Sequence, residues 1–280
     1  MKKLFIFGMS CFIIFFILGT AVWLLIEEKG NPISEVEHSF DDRNIEELVI
    51  NMDNINVKFK EGKAFHMKYK GRDKLKVTRQ GRTLQVVERM HSKRKMLNLN
   101  PFITNGEELI VTVPPHYLKH LSVTTHIASV EMQGMTLDNL MIWNDQNGEV
   151  TLKDCHFKHA QINGHETFVK IVKSELKKND VNVEKGMIET DHTTVGQSLF
   201  KLGEGNMELM QMAPKCDLKG IVDKGNIEMS YAKTPKHVRL ELHPSKGQAM
   251  VEHPELRRGI NGNGAHQIEL YTNDGDILVH

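Results

Sequence analysis

Residues 177–195, KKNDVNVEKGMIETDHTTV, and residues 196–214, GQSLFKLGEGNMELMQMAP, are two successive nineteen-residue segments that fall into register on one another. In each, a short stretch alternates between aliphatic and polar side chains (Val181 and Val183; Phe200 and Leu202). A glycine turn follows, and a second alternating stretch begins two residues after the glycine. Alternation at period two is the signature of a strand with one buried face. Two strands and a turn every nineteen residues, copied along the chain, describe a repeat rather than a set of hairpins.

The pattern extends both ways from there. Segments of 19 or 20 residues begin at Leu118, Leu137, Phe157, Lys177, Gly196 and Lys215. Their inward pairs read Leu121 and Val123, Leu140 and Ile142, Ala160 and Ile162, then Val181 and Val183, then Phe200 and Leu202. The turn has its own motif, glycine, any residue, aliphatic, at Gly148, Gly186, Gly205 and Gly225, and again at Gly275. Glycine there permits positive φ, so these five are assigned as structural turn residues. Two segments lack it, with Ala128 in one and Thr167 or Phe168 in the other.

The fold expected is all-β: a β-solenoid, right-handed and parallel β-helix-like, in which coils stack at about 4.8 Å and each strand pairs with its copy one coil away. Helix fails on the two-residue period and the frequent Gly and Asn-Gly breaks. A β-sandwich shares the even strand spacing, and the repeated inward column decides against it.

The regular coils occupy 116–233. Residues 45–115 are strand-like at 47–51, 56–60, 65–70, 75–79, 84–88 and 108–113 without obeying the repeat, and read as irregular N-terminal coils or a cap. Residues 234–280 do the same at the other end, since an open solenoid end exposes core and unpaired backbone.

Ahead of the β region, residues 4–26, LFIFGMSCFIIFFILGTAVWLLI, carry no charge. As a helix they rise about 35 Å against a hydrocarbon core of about 30 Å. Lys2 and Lys3 precede the run and Glu27 and Glu28 follow it, so residues 1–3 are expected in the cytoplasm and everything after the anchor outside, at the cell membrane. A cleaved signal peptide is the rival, with small residues at 19–21, but the apolar run continues past them. Cys11 follows a poor lipobox. Residues 27–44 are polar, with Gly30 and Pro32, and read as a stalk.

Lys plus Arg and Asp plus Glu both number 36, so the net charge is zero and nucleic acid is not expected as a partner. The concentrated cationic stretch of the exported part is 91–96, HSKRKM. Lys93, Arg94 and Lys95 are the candidate contact to an anionic surface; a solvated loop is the plainer reading. Cys155 and Cys216 read as buried free thiols, and no zinc spacing is present.

No catalytic residue, cofactor site or metal site is assigned. The segment at His165-Glu166 has Val169 where a zinc protease needs histidine; Gly196-Gln197-Ser198 lacks the closing glycine of a nucleophile elbow. Histidines 120, 126, 156, 159, 165 and 192 recur in successive coils as a possible ladder for a metal or for pH sensing. Asp145, Glu184, Glu204 and Asp223 lie near the turns, where a carbohydrate-active enzyme on a β-helix would need its carboxylates.

The Gly-x-aliphatic turns, the VTVPP at 111–115 and the terminal NDGDI at 273–277 resemble the bacterial β-strand-repeat proteins called "putative adhesins", which include membrane-anchored Lia-type envelope-stress proteins. The resemblance covers residues 45–280. It implies a non-enzymatic, membrane-anchored protein at the bacterial surface, in envelope-stress sensing or cell-surface binding, with a protein or an anionic envelope polymer as partner. The alternatives are the carbohydrate-active enzyme and a structural adhesin acting on envelope polymer.

Overall fold

The computed structural model describes residues 2–22, 33–40, 44–71, 74–89 and 106–280. Helix α1 (Lys2–Val22) includes an 18-residue stretch, Phe5–Val22, long and apolar enough to cross a membrane, and none of that stretch is buried against the rest of the chain. Everything else described is strand and turn.

Each coil presents two arcs. The first arcs stack in parallel in this order: β6 (Thr83–Arg89), β2 (Glu47–Asn51), β8 (His120–Ile127), the leading halves of β10 (Thr136–Lys153), β11 (His156–Val172), β12 (Glu175–Asp191) and β13 (Thr194–Met212), then β14 (Leu218–Lys224), β19 (His266–Asp274) and β16 (Val238–Lys246). The second arcs follow beside them: β7 (Glu108–Val113), β3 (Asn56–Glu61), β9 (Val130–Gln133), the trailing halves of β10 to β13, β15 (Ile227–Tyr231), β20 (Ile277–Val279) and β17 (Ala249–Val251). In-register pairing of Thr136 with His156, Glu175 and Thr194 reproduces the 19–20-residue repeat.

Stack order and chain order part company at both ends. β2 and β3 lie inside β6 and β7, and the C-terminal strands β19 and β20 lie inside β16 and β17. A last strand paired on both edges cannot fray as an edge strand would. The outermost coils are closed by antiparallel pieces: β5 (Lys74–Gln80) on β6, β4 (Phe65–Gly71) on β7, and β18 (Ile260–Asn261) on β16, with Leu256 of a 3-10 turn buried beside it.

Within the 27–44 segment that reads as a stalk, residues 34–40 instead form strand β1 (Ser34–Phe40), antiparallel to β4 from Ser34 opposite Gly71 to Phe40 opposite Phe65. The Phe40 ring lies 4.9 Å from that of Phe65, which lies 5.4 Å from Tyr117. The strand was illegible because its other face is wet, and Glu35 and Glu37 share Lys68 at 3.4 and 3.7 Å. Charges on an outer strand are how sheets resist edge-to-edge pairing.

The inward columns run the length of the stack. Ile50, Val123, Ile142, Ile162, Val181 and Phe200 form one of them, all fully buried. Register also corrects the sequence alignment of β12 and β13. Val181 and Phe200 align with Ile162 rather than Ala160, and the position of Leu121, Leu140 and Ala160 passes to Asn179 and Ser198. Polar residues in an apolar column hid the true frame.

Asn179 is 4% exposed; its amide nitrogen donates to Ser198 Oγ at 2.9 Å, and its carbonyl oxygen has no partner. An unsatisfied buried acceptor is costly, whereas replacing both partners by apolar groups is close to neutral. Ser198→Ala alone is therefore expected to destabilise by about 1–3 kcal/mol, and Asn179→Val with Ser198→Ala to restore or exceed the parent stability. Chemical unfolding of the three chains checks the order.

Two turns join the arcs. Between arcs, Gly186, Gly205, Gly225, Gly275 and Gly247 stand in one column with φ between +135° and +152°. Gly148 belongs to the column without positive φ, and Thr167 takes the next place, fully buried, as the gap in the motif implied. Between coils, Gly134, Asp154, Lys173, His192 and Gln211 all adopt left-handed φ, from 49° to 71°. Only Gly134 announced this in sequence.

Cys155 and Cys216 are free and buried, as read, and burial pushes both thiols up to about 11. The shift favours the neutral form when folded, so its stabilisation is complete below the ordinary 9.0 and is lost as pH rises through about 11. At mildly alkaline pH, iodoacetamide is expected to leave both unmodified until guanidinium unfolds the chain, a difference read by mass spectrometry.

Candidate functional site

The outer face of the first arcs is where side chains collect without being used up by the core. Because strands pair in register, each outward position becomes a column along the stack. Two adjoining columns, one through His120, Asn139, His159 and Lys178 and one through Ser122, Met141, Gln161 and Asp180, flank an open groove of about 850 Å³. It reaches from Glu47 and Val49 on β2 to Gln267 and Glu269 on β19. Its charge alternates, with Lys178 and Lys219 set among Glu47, Asp180, Asp217 and Glu269, and Met141 and Leu199 add apolar surface.

The next outward column differs at its two ends. Toward the C-terminus, Tyr271 is covered: the His243 ring stacks on it at 4.5 Å and Lys219 Nζ lies 4.6 Å from its centroid. Toward the N-terminus, Trp143 is 50% exposed beside a second, smaller cleft of about 340 Å³. Asn163 and Asn182 follow Trp143 in register on β11 and β12.

Beneath Trp143 the corner is braced by Asn144, fully buried. Its amide nitrogen donates to Thr125 Oγ1 at 3.0 Å and to the Ala128 carbonyl at 2.9 Å, and its oxygen accepts from Thr167 Oγ1 at 3.2 Å. Between Asn144 and Asn147 the register slips, so Asp145 and Gln146 together oppose His165 alone. This bulge turns the outer corner of β10 relative to its neighbours.

The histidines do not gather. His126 Nδ1 lies 3.0 Å from Asp145, His165 Nδ1 2.7 Å from Glu184, His156 3.7 Å from Glu175, and His120 2.8 Å from the Asn139 amide. Each of these partners stands one coil along, while His192 bonds the adjacent Asp191 at 2.8 Å. Among the described residues, no three His, Cys, Asp or Glu side chains come together as metal ligands.

The acidic positions are similarly engaged. Lys224, bonded at 2.7 Å and assisted by Lys185, holds the Glu204 carboxyl below the usual carboxylate range, the opposite of what a general acid requires. Asp223 accepts from the Asn273 amide at 3.0 Å. Lys93, Arg94 and Lys95 lie outside the described residues. The five turn glycines are brought into one column on the rim of the stack, away from the groove lining. The groove and the Trp143 cleft were not foreseen; the one available signal was a large aromatic at an outward-parity position of a strand.

A stack of parallel two-arc coils, turned by a glycine column and a left-handed column and preceded by an apolar helix, defines a β-repeat protein. Residues 45–280 match the Toastrack DUF4097 family, and the chain belongs to it. No curated protein matches. Among solved structures, the chain is similar to a "putative adhesin" of Bacteroides fragilis (12% identity, 88% of this chain and 97% of that one, TM-score 0.45). It is also similar to one of Parabacteroides merdae (13%, 89% and 96%, 0.39) and to a "putative cell adhesion protein" of Clostridium sporogenes (11%, 89% and 99%, 0.30).

Proposed function

We infer that this protein is a non-enzymatic binding platform, anchored by α1 with its β stack outside the cytoplasm, that serves in envelope-stress or cell-surface sensing by holding a polypeptide partner along the first-arc groove. The groove carries the reading: it is open, runs across coils from β2 to β19, and alternates cation, anion and apolar contact. Such a lining suits a mixed-charge polypeptide better than a polyanion, which would meet Asp180, Asp217 and Glu269. An anionic envelope polymer would depend on Lys93, Arg94 and Lys95. The orientation follows from Lys2 and Lys3 before the apolar helix and Glu27 and Glu28 beyond it.

The test is crosslinking in intact cells with a membrane-impermeant reagent, comparing the parent with Met141→Asp and Leu199→Asp. A crosslinked protein that both substitutions remove supports the platform. A partner recovered equally from all three chains, or no access to the reagent from outside, overturns it.

A further inference from the structure

We propose that the cleft at Trp143 is a binding site for a neutral saccharide ring. It rests on the reading above only for its exposure outside the cell. Trp143 is half exposed, and among the described residues no aromatic ring or cation stacks on its indole, unlike Tyr271 in the same column. The amides of Asn163, Asn182 and Gln146 line the same cleft, and their side chains make no hydrogen bonds among the described residues. Each of these amides both donates and accepts. Consecutive rungs set Trp143, Asn163 and Asn182 about 4.8 Å apart.

A pyranose matches this arrangement. Its C–H face is apolar and lies flat on an aromatic ring, while the hydroxyls around its edge donate and accept as amides do. Charge excludes the obvious competitors. No lysine or arginine lines the cleft, so nothing favours a phosphate or carboxylate, and each lining carboxylate is already taken by an imidazole, Asp145 by His126 and Glu184 by His165. The volume of about 340 Å³ lies at the lower end of the range for small-molecule sites, about 300–1,000 Å³. The bulge at 145–146 opens this corner at β10, and the Asn144 brace holds it, so the site is set before ligand arrives.

The chain has two tryptophans, so Trp23→Phe leaves Trp143 as the sole indole reporter. The full-length Trp23→Phe chain, in a zwitterionic detergent without a sugar headgroup, is titrated with tri-N-acetylchitotriose and with maltotriose while indole emission is followed. A saturable change with either trisaccharide is expected, weakened at least about tenfold by Asn163→Ala with Asn182→Ala. Calorimetry on Trp143→Ala should show the same loss, with Trp143→Phe retaining part of the binding, and unfolding curves matching the parent establish that these substitutions leave the fold intact.

No saturable change up to the solubility limit of both probes overturns the proposal. So does binding that survives Trp143→Ala, or a larger response to polyphosphate than to either sugar. Reagent access in cells bears on the platform alone, so the two readings fail separately.

Discussion

Gly205→Val is expected to cost at least about 3–5 kcal/mol, a large part of the roughly 5–15 kcal/mol by which a typical domain is stable. The backbone at Gly205 has φ of +135°, where a β-branched side chain is strained by about 1–3 kcal/mol. A Cβ there would also run into the carbonyl oxygen of Gly186, and that contact is backbone, so no rotamer relieves it. The same close approach recurs above, where Gly225 stands on the Gly205 carbonyl and Gly275 on the Gly225 carbonyl. Relief would require spreading coils whose spacing is set by hydrogen bonds on both arcs. Gly81 is the control: it too has positive φ, +61°, but nothing lies within 4 Å of its Cβ position, and Gly81→Ala should cost about 1 kcal/mol. Guanidinium unfolding of the full chain in detergent checks both; a Gly205→Val midpoint indistinguishable from the parent would show that the coils do not touch at this column.

Phe200→Ala is expected to destabilise by about 3–5 kcal/mol. Phe200 is fully buried in the column between Val181 below and Gly220 above. Gly220 has no side chain to fall into the void, so relaxation is limited. Phe168→Ala is the comparison, because Phe168 is 57% exposed on the outer face, and its loss should shift stability by no more than about 0.5 kcal/mol. Unfolding midpoints at an unchanged denaturant slope would report stability rather than a change of folded state. Equal losses at the two positions would contradict the inward and outward assignment of these strands.

These two phenylalanines also show how far the sequence could be read. Both sit in repeat strands, and period-two parity separates them once the register is known. The turn glycines supplied the coil length, since a motif that recurs every 19–20 residues has one consistent period. Where the column carries Asn179 and Ser198, the hydrophobic pattern slid by two residues and only the hydrogen-bond pairing restored it. A slip of two keeps each side chain on its proper face, so the inward assignment survived although the alignment did not.

The left-handed turns at Asp154, Lys173, His192 and Gln211 were invisible for another reason. Lys and Gln do not prefer that conformation, and Asp and His visit it only more often than other side chains do, so none of the four marks the corner as glycine does; they adopt it because buried strands on either side demand a tight corner. Strand β1 escaped notice because its exposed face dilutes the alternation in Val36, His38 and Phe40.

The sequence by itself determined the apolar N-terminal helix, the all-β class, the coil length and the column of turn glycines, because each is written in local periodicity. Tertiary structure alone decided that β2 and β3 sit inside β6 and β7, and that the chain's last strands are enclosed rather than outermost. It alone also placed Trp143 beside Asn163 and Asn182. The reason is the same in both cases: a strand's pattern states which face is buried, but its edges carry only backbone donors and acceptors common to every strand. Which strand lies alongside is settled by the packing of the whole stack.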